Sequence, residues 1–474
     1  MSSNLSPIPG MPPIPGGPNI SGMPPSGMPP IPGGMPPPGM PPMPGGMPPP
    51  PPAARVESQW LTALGREIRD KARALIPLIR EQAREGEKIG ALTPDVLNAL
   101  EAIGIYKMAM PTDCGGYALG TRDLVEIISV LGEADGSAGW AGFVAVGVKN
   151  LLALDAEVVK EVLDDTRDWV GPTVVGASVF ATKVGDGRKV DGGWMVKGRW
   201  AFGSGCKHAK WAMLGVTYDP KTAGGTGRGV VVVDRSKYEI IDDWHVMGLA
   251  GSASNSLAIT EEVFVPDHRF LDLSEYPVRF QHLHTRYQGT AYQQRGLAML
   301  TTVSLCDMSI ALGMARGALS CFVEQAKKRQ PFTLPYPTIS DMASAQVAAG
   351  KALAMINVSA AVIESYADQV DARTAAGLDF THEEDSEISL NLAYVASLCE
   401  DAINLLQKTI GSSTVSLSNP IQRFVRDVRV LSSHGAVRLD PQAEVNGRRL
   451  LGLKPFPMFA GAVPERSNTE EKGL

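Results

Sequence analysis

The chain has 474 residues, 44% of them apolar, with 44 Lys and Arg against 50 Asp and Glu and a formal net charge of −6. That length exceeds one hydrophobic core and implies two or three structural units. The interspersed charges exclude the clustered Lys and Arg that nucleic acid or an anionic membrane surface would require, which leaves small molecules and other proteins as partners.

Residues 1–54 stand apart. Of the 37 prolines, 22 fall before Ala53, in near-repeats such as GMPPIPGG and PMPGGMPPPP, and no charged residue precedes Arg55. Proline removes backbone donors and glycine keeps chain entropy high, so this stretch is expected as a disordered, polyproline-II-rich arm. Its first reading is a solvated spacer, and its second is docking to a protein or shell partner. It lacks the basic start and continuous apolar stretch of a secretory signal, and no run of about 18 consecutive apolar residues follows anywhere. Five cysteines, Cys114, Cys206, Cys306, Cys321 and Cys399, show no CxxC pattern. A reduced, cytoplasmic compartment and no metal site are expected.

Residues 55–165 are expected as a helical domain. In LTPDVLNALEAIG, Thr93 suits an N-cap, Pro94 the first helical position and Gly104 the stop. Leu124, Ile127, Ile128 and Leu131 then recur at helical spacing. Over residues 166–286 the period changes to two, in VVGASVFATKV, GWMVKGRWAF, KWAMLGVTY, RGVVVVDRS and SLAITEEVFVP. With DGRKVDGG and KTAGGTGRG as hairpin breaks, this predicts an antiparallel β-domain. No GxGxxG follows a strand, so no nicotinamide dinucleotide site is evident. Residues 287–462 return to helical spacing as a bundle, with Gly313, Gly317 and Ala318 permitting close helix contact, and 463–474 form a flexible tail. The fold class is therefore α+β.

Four stretches then carry a resemblance: PTDCGGYALGTRDLVEIISVLGEADGSAGW, GRWAFGSGCKHAKWAMLG, WHVMGLAGSASNSLAITEEVFVPDHR and NPIQRFVRDVRVLSSH. Over about residues 56–460 the chain resembles the acyl-CoA dehydrogenase superfamily. Within it, the chain is similar to the flavin-dependent monooxygenases, the oxygenase components of two-component aromatic hydroxylases and dibenzothiophene monooxygenase. The resemblance implies an acyl-CoA dehydrogenase-like fold, reduced FMN as cofactor with FAD as the other choice, a separate NAD(P)H-dependent flavin reductase, and a homotetramer.

The chemistry of the residues separates the branches. A dehydrogenase removes an α-proton with a carboxylate base. After the RD motif, where the family's glutamate base lies, this chain has Ser433, His434 and Gly435, and no acid occurs from Tyr276 to Cys306. A monooxygenase instead shields a C4a-hydroperoxyflavin and needs a group to take or orient a substrate proton, which a histidine does near neutrality. His434 is the expected base; as a helix-terminal histidine it could equally bond the last carbonyls. The resemblance implies Ser204 at the flavin ring, Gly203 and Gly205 allowing close approach, Trp200 and Phe202 leading in, and Ser252, Ser254 and Asn255 in a closing loop. Residues of that kind also favour plain turns. His208 is expected to be structural. After GSAGW the aromatic hydroxylases tend to carry a histidine, whereas this chain reads FVAVGVKNLL, placing Lys149 or Asn150 there, and Asn150 is expected to orient substrate. Arg329 and Phe332 loosely match the pair that holds the ADP half of FAD. Two other readings stay open: a dehydrogenase or flavin oxidase with Glu383 or Glu384 as base, and a non-catalytic scaffold presenting the arm.

Overall fold

A computed structural model describes residues 57–179, 181, 184–435 and 437–454. The expected arm over 1–54 and tail over 463–474 lie outside the described residues, as do Phe180, Thr182 and Lys183 of the first expected strand.

Seven helices come first: α1 (Ala63–Ala74), α2 (Ile76–Ile89), α3 (Pro94–Ala102), α4 (Thr121–Ala134), α5 (Gly136–Val146), α6 (Val148–Leu151) and α7 (Ala156–Asp165). Helix α3 starts at Pro94 behind Thr93 in the N-cap position, and Gly104 lies just past its end at φ 83°. The Thr93 hydroxyl is buried and makes no capping bond, so proline and backbone geometry set this start. Strands β1 (Val174–Ala177), β2 (Gly185–Val190), β3 (Gly193–Trp200), β4 (Trp211–Thr217), β5 (Arg228–Asp234), β6 (Glu239–Ile241), β7 (Ser256–Pro266) and β8 (Phe270–Asp272) follow, with the short α8 (Pro220–Ala223) between β4 and β5.

The sheet differs from the antiparallel expectation. Its order is β6-β7-β3-β2-β4-β5-β8, and both β1 and β2 run parallel to β4. Parallel neighbours need a long connection, which residues 178–210 supply between β1 and β4. The β2–β3 pair is the expected hairpin, but DGRK belongs to the strand and only Asp191 and Gly192 form the loop. Period-two alternation holds: Trp211, Met213, Val230 and Val232 face one core, and Ala212, Leu214, Val231 and Val233 face another.

The C-terminal helices are α9 (Tyr276–Gln281), α10 (Gly296–Lys328), α11 (Ala343–Ala376), α12 (His382–Ile410), α13 (Pro420–Ser432) and α14 (Leu439–Leu450). Helices α10 and α11 are long and apolar enough to cross a membrane by length and composition, yet 78% of the apolar window of α10 is buried inside the fold. Its partner is α4: the N-terminal helices and the bundle share one hydrophobic core. The stripe of small residues is used in this contact. A Cβ added at Gly313 would lie 2.1 Å from the Ser129 carbonyl oxygen, and one at Gly317 would lie 2.4 Å from that of Glu133. Gly313→Leu is therefore expected to destabilise the fold by at least about 2 kcal/mol through overpacking. Thermal unfolding checks this, and an unchanged midpoint would contradict the close α4–α10 approach.

Candidate active site

The FVRDVRVLSS stretch forms α13, and its charged residues anchor it. The buried Arg423 guanidinium lies 2.8 Å from Asp135, whose other carboxylate oxygen caps α5 by accepting from the Ser137 and Ala138 amides. Asp427 accepts from the Leu249 amide at 2.7 Å, tying α13 to the serine loop, and Arg426 reaches the Met247 carbonyl and Glu87. Burial, with Asp135 beside it, pushes Asp427 above the ordinary carboxylate range. The Arg-Asp pattern thus fixes the end of α13 against α5 and the loop, and His434 follows at that end.

His434 lines a cavity of about 330 Å³ together with Ser204 and Asn150. All three residues expected to be catalytic therefore converge, from the end of α13, the β3–β4 turn and α6. Most of the wall is apolar: Trp140, Phe143 and Val144 of α5, Val174 and Val175 of β1, Val179, Phe280 and Val303. A larger hollow of about 620 Å³ near Glu101 and Trp169 holds none of the three.

The His434 imidazole is about half exposed, with its edge 5.7 Å from the Trp140 ring. Its Nδ1 lies 3.6 Å from a carboxylate oxygen of Asp307, a buried residue on α10 whose second oxygen has no partner among the described residues. Burial pushes Asp307 up to about 7 and lowers His434 below its ordinary value. Both shifts favour neutral forms, and a neutral imidazole is the form that accepts a proton. The helix-terminal reading holds for the backbone, whose amide bonds the Leu431 carbonyl, while the ring turns to Asp307. Asp307 was not among the expected residues.

Asn150 accepts from the Tyr276 hydroxyl through its side-chain oxygen, and its amide NH₂ has no hydrogen-bond partner among the described residues. Ser204 sits 2.8 Å from the Ser254 hydroxyl, which is 2.7 Å from that of Ser252, giving a chain of three hydroxyls beside the cavity. Gly205 takes φ 79°, and the Gly203 amide bonds the Asn255 carbonyl, locking this turn to the loop. Of six non-glycine residues with positive φ among the described residues, Ser178, Phe202, Leu249 and Ala253 occupy the loops around Ser204. Backbone strain is thus concentrated around Ser204.

Other expected residues lie elsewhere. Trp200 is fully buried, with its Nε1 donating to the Gly215 carbonyl at 2.6 Å, so it packs the sheet and does not line the cavity. Phe202 is 69% exposed, edge-on to Trp244 at 6.2 Å. His208 is mostly buried and lies with Ser252 and Gly205 around a small space behind the turn. Arg329 follows the last residue of α10, about 40 Å along that helix from Val303, and bonds Ser413, while Phe332 is 91% exposed. Neither reaches this chain's cavity. Glu383 pairs with Arg449, and Glu384 caps α12 and pairs with Arg373, so neither lines the cavity as a base would.

Comparison with known proteins agrees with this geometry. Residues 305–439 match the family described as acyl-CoA dehydrogenase, C-terminal domain. The chain is 29% identical over 395 residues, 80% of its length and 92% of the relative's, to the oxygenase component of an FADH(2)-dependent resorcinol hydroxylase from Rhizobium sp.. It is 30% identical over 389 residues, 80% of its length and 94% of the relative's, to HsaA, the oxygenase subunit of a flavin-dependent monooxygenase from Mycobacterium tuberculosis. The chain belongs to the flavin-dependent monooxygenases of the acyl-CoA dehydrogenase superfamily. The crystal structure of M. tuberculosis HsaA superimposes on this monooxygenase with a TM-score of 0.72 at 26% identity, covering 83% of this chain and 99% of HsaA.

The residues fit a reduced flavin. A monooxygenase of this family needs an apolar face for the ring, hydroxyls for its polar edge and a dry space beside it. The Ser204–Ser254–Ser252 chain and the mostly apolar cavity meet these needs in one place, while Phe202, exposed against Trp244, does not line that cavity. Among the described residues no cluster of His, Cys, Asp and Glu could hold a metal ion, and flavin chemistry requires none.

Proposed function

We propose that this monooxygenase is the oxygenase component of a two-component system that hydroxylates a small, electron-rich aromatic substrate in the Ser204–Asn150–His434 cavity. The convergence of those residues on one mostly apolar cavity of about 330 Å³, room for one or two rings, carries the reading. When bound beside Ser204, reduced flavin supplies the activated oxygen after reaction with O₂. The Ser204 hydroxyl, held by Ser254, donates at the flavin edge. Trp140, Phe143 and the valines exclude water. Asn150 donates its NH₂ to the substrate, and His434 takes the substrate proton while Asp307 balances the resulting imidazolium. A separate NAD(P)H-dependent reductase supplies the flavin. Reduced FMN and FADH₂ carry the same reactive ring, and the name of the resorcinol relative makes FADH₂ the form to test beside reduced FMN.

Exposed Val347, Leu353 and Val358 of α11 and Tyr394 of α12 support burial against further copies, as in the expected homotetramer. The Pro-rich arm remains the proposed contact to a protein or shell partner.

The test is turnover of a panel of phenols and indoles with a flavin reductase, NADH and O₂, scoring one oxygen atom gained per product. Thioester-dependent flavin reduction with no oxygenated product would refute it. Asp307→Asn is expected to lower hydroxylation about tenfold by replacing the carboxyl oxygen that faces Nδ1, with the acidic limb of the pH profile near its wild-type place because Asp307 is already mostly protonated there. Hydroxylation at the wild-type rate would remove Asp307 from the site.

A further inference from the structure

The hydroxyl chain from Ser204 through Ser254 to Ser252 leads away from the cavity. Ser252 lines a second, small space of about 10 Å³ behind the turn, close to the room that one water needs, and His208 lines the same space. The His208 Nε2 is buried and has no hydrogen-bond partner among the described residues. Leu92, Ala141, Val144 and Pro172, which wall the space, offer no side-chain hydrogen bond. The backbone holds the two polar residues together: the Gly205 amide donates to the Ser252 carbonyl and the His208 amide to the Gly205 carbonyl, each at 2.9 Å. A buried ring nitrogen left unpaired is costly, and a water bonded to both Nε2 and the Ser252 hydroxyl removes that cost. His208 keeps part of its surface in solvent. Burial, then the charge of Lys207, lowers its pKa against an upward pull from the Leu92 backbone. A purely structural role for His208 leaves its unpaired nitrogen unexplained.

Activation of O₂ by an anionic reduced flavin moves two electrons to oxygen and takes up one proton. The mostly apolar cavity that excludes water also excludes a direct supply of protons. We propose that one water joins Ser252 to His208, and that His208, this water, Ser252, Ser254 and Ser204 form a relay carrying a proton from solvent to the flavin edge. This rests on the oxygenase reading above. His208 releases its Nε2 proton to the water as the water passes one of its own to Ser252. Ser252 passes its hydroxyl proton to Ser254, Ser254 passes its own to Ser204, and Ser204 gives its own at the flavin edge. Each O–H bond breaks as the next forms, every electron pair stays on its oxygen, and the imidazole regains a proton from solvent.

The first test uses the flavin-free full chain. A high-resolution crystal structure is expected to hold one ordered water within hydrogen-bond reach of both His208 Nε2 and Ser252 Oγ, and a space without it would overturn the proposal. The second loads the full chain anaerobically with reduced FMN and mixes it with oxygen in H₂O and in D₂O. Adduct formation in the wild type is expected to slow about twofold or more in D₂O, and His208→Gln, whose amide holds no transferable proton, to slow it about tenfold and lose the D₂O effect. In His208→Ala, added imidazole is expected to recover the rate, which a merely structural histidine would not allow. Binding of reduced FMN by each variant reports on folding. Adduct formation at the wild-type rate in His208→Gln, or a D₂O effect unchanged in it, would overturn the relay and leave the oxygenase reading standing. No adduct in the wild type would sink the oxygenase reading and the relay with it.

Discussion

His434→Ala is expected to lower product formation by about 10²-fold or more, the usual contribution of a positioned acid–base group, while reduced flavin is still consumed by oxygen. The Ser204 turn and the serine loop are built from other elements, so oxygen activation is expected to survive loss of the imidazole. Product per flavin oxidised falls and hydrogen peroxide rises. Asp307 behind the imidazole and Trp140 at its edge make the position specific to a ring of this size. Quantifying product and peroxide in one reaction checks this, and coupled hydroxylation at the wild-type rate would remove His434 from the mechanism.

Ser204→Ala is expected to act earlier. The Ser204 hydroxyl ends a chain through Ser254 to Ser252, so its orientation is fixed before flavin arrives. Losing one hydrogen bond at the reactive edge is worth about 1.4 kcal/mol, a factor of about ten in the lifetime of the oxygen-activated state. Rapid mixing would show faster decay and more peroxide, with a smaller effect on the substrate step. An unchanged lifetime would place the serine in the turn alone.

Much of this arrangement was legible in the sequence. Thr93-Pro94 and Gly104 bound α3, and the glycines of α10 mark its contact with α4, because helix ends and close approaches depend on local backbone chemistry. Ser204, Asn150 and His434 could be named through the resemblance. The parallel pairing of β1 and β2 with β4 could not be read, since alternation fixes which face a residue takes and says nothing of a neighbour's direction. Trp200 and Phe202 also share a period-two phase, yet the strand ends at Trp200 and Phe202 turns to φ 59°, so one is buried and the other exposed. Asp307 escaped notice because its partner lies on a different element far along the chain. A signal was present: it is the first acid of α10, amid the apolar run LCDMSIALG, and the next in that helix is Glu324. A lone acid in such a run requires a partner or an elevated pKa. Lys149 departs from the hydroxylase pattern, and it is buried with its ammonium on the Gln294 side-chain oxygen.

The measurement that tests the central claim most directly is anaerobic loading of the purified chain with reduced FMN or FADH₂, followed by rapid mixing with oxygenated buffer while near-ultraviolet absorbance is recorded. The account predicts a transient oxygen adduct that precedes the oxidised-flavin band and decays faster in Ser204→Ala. Direct appearance of oxidised flavin with no transient, at the rate of free flavin in buffer, would contradict it.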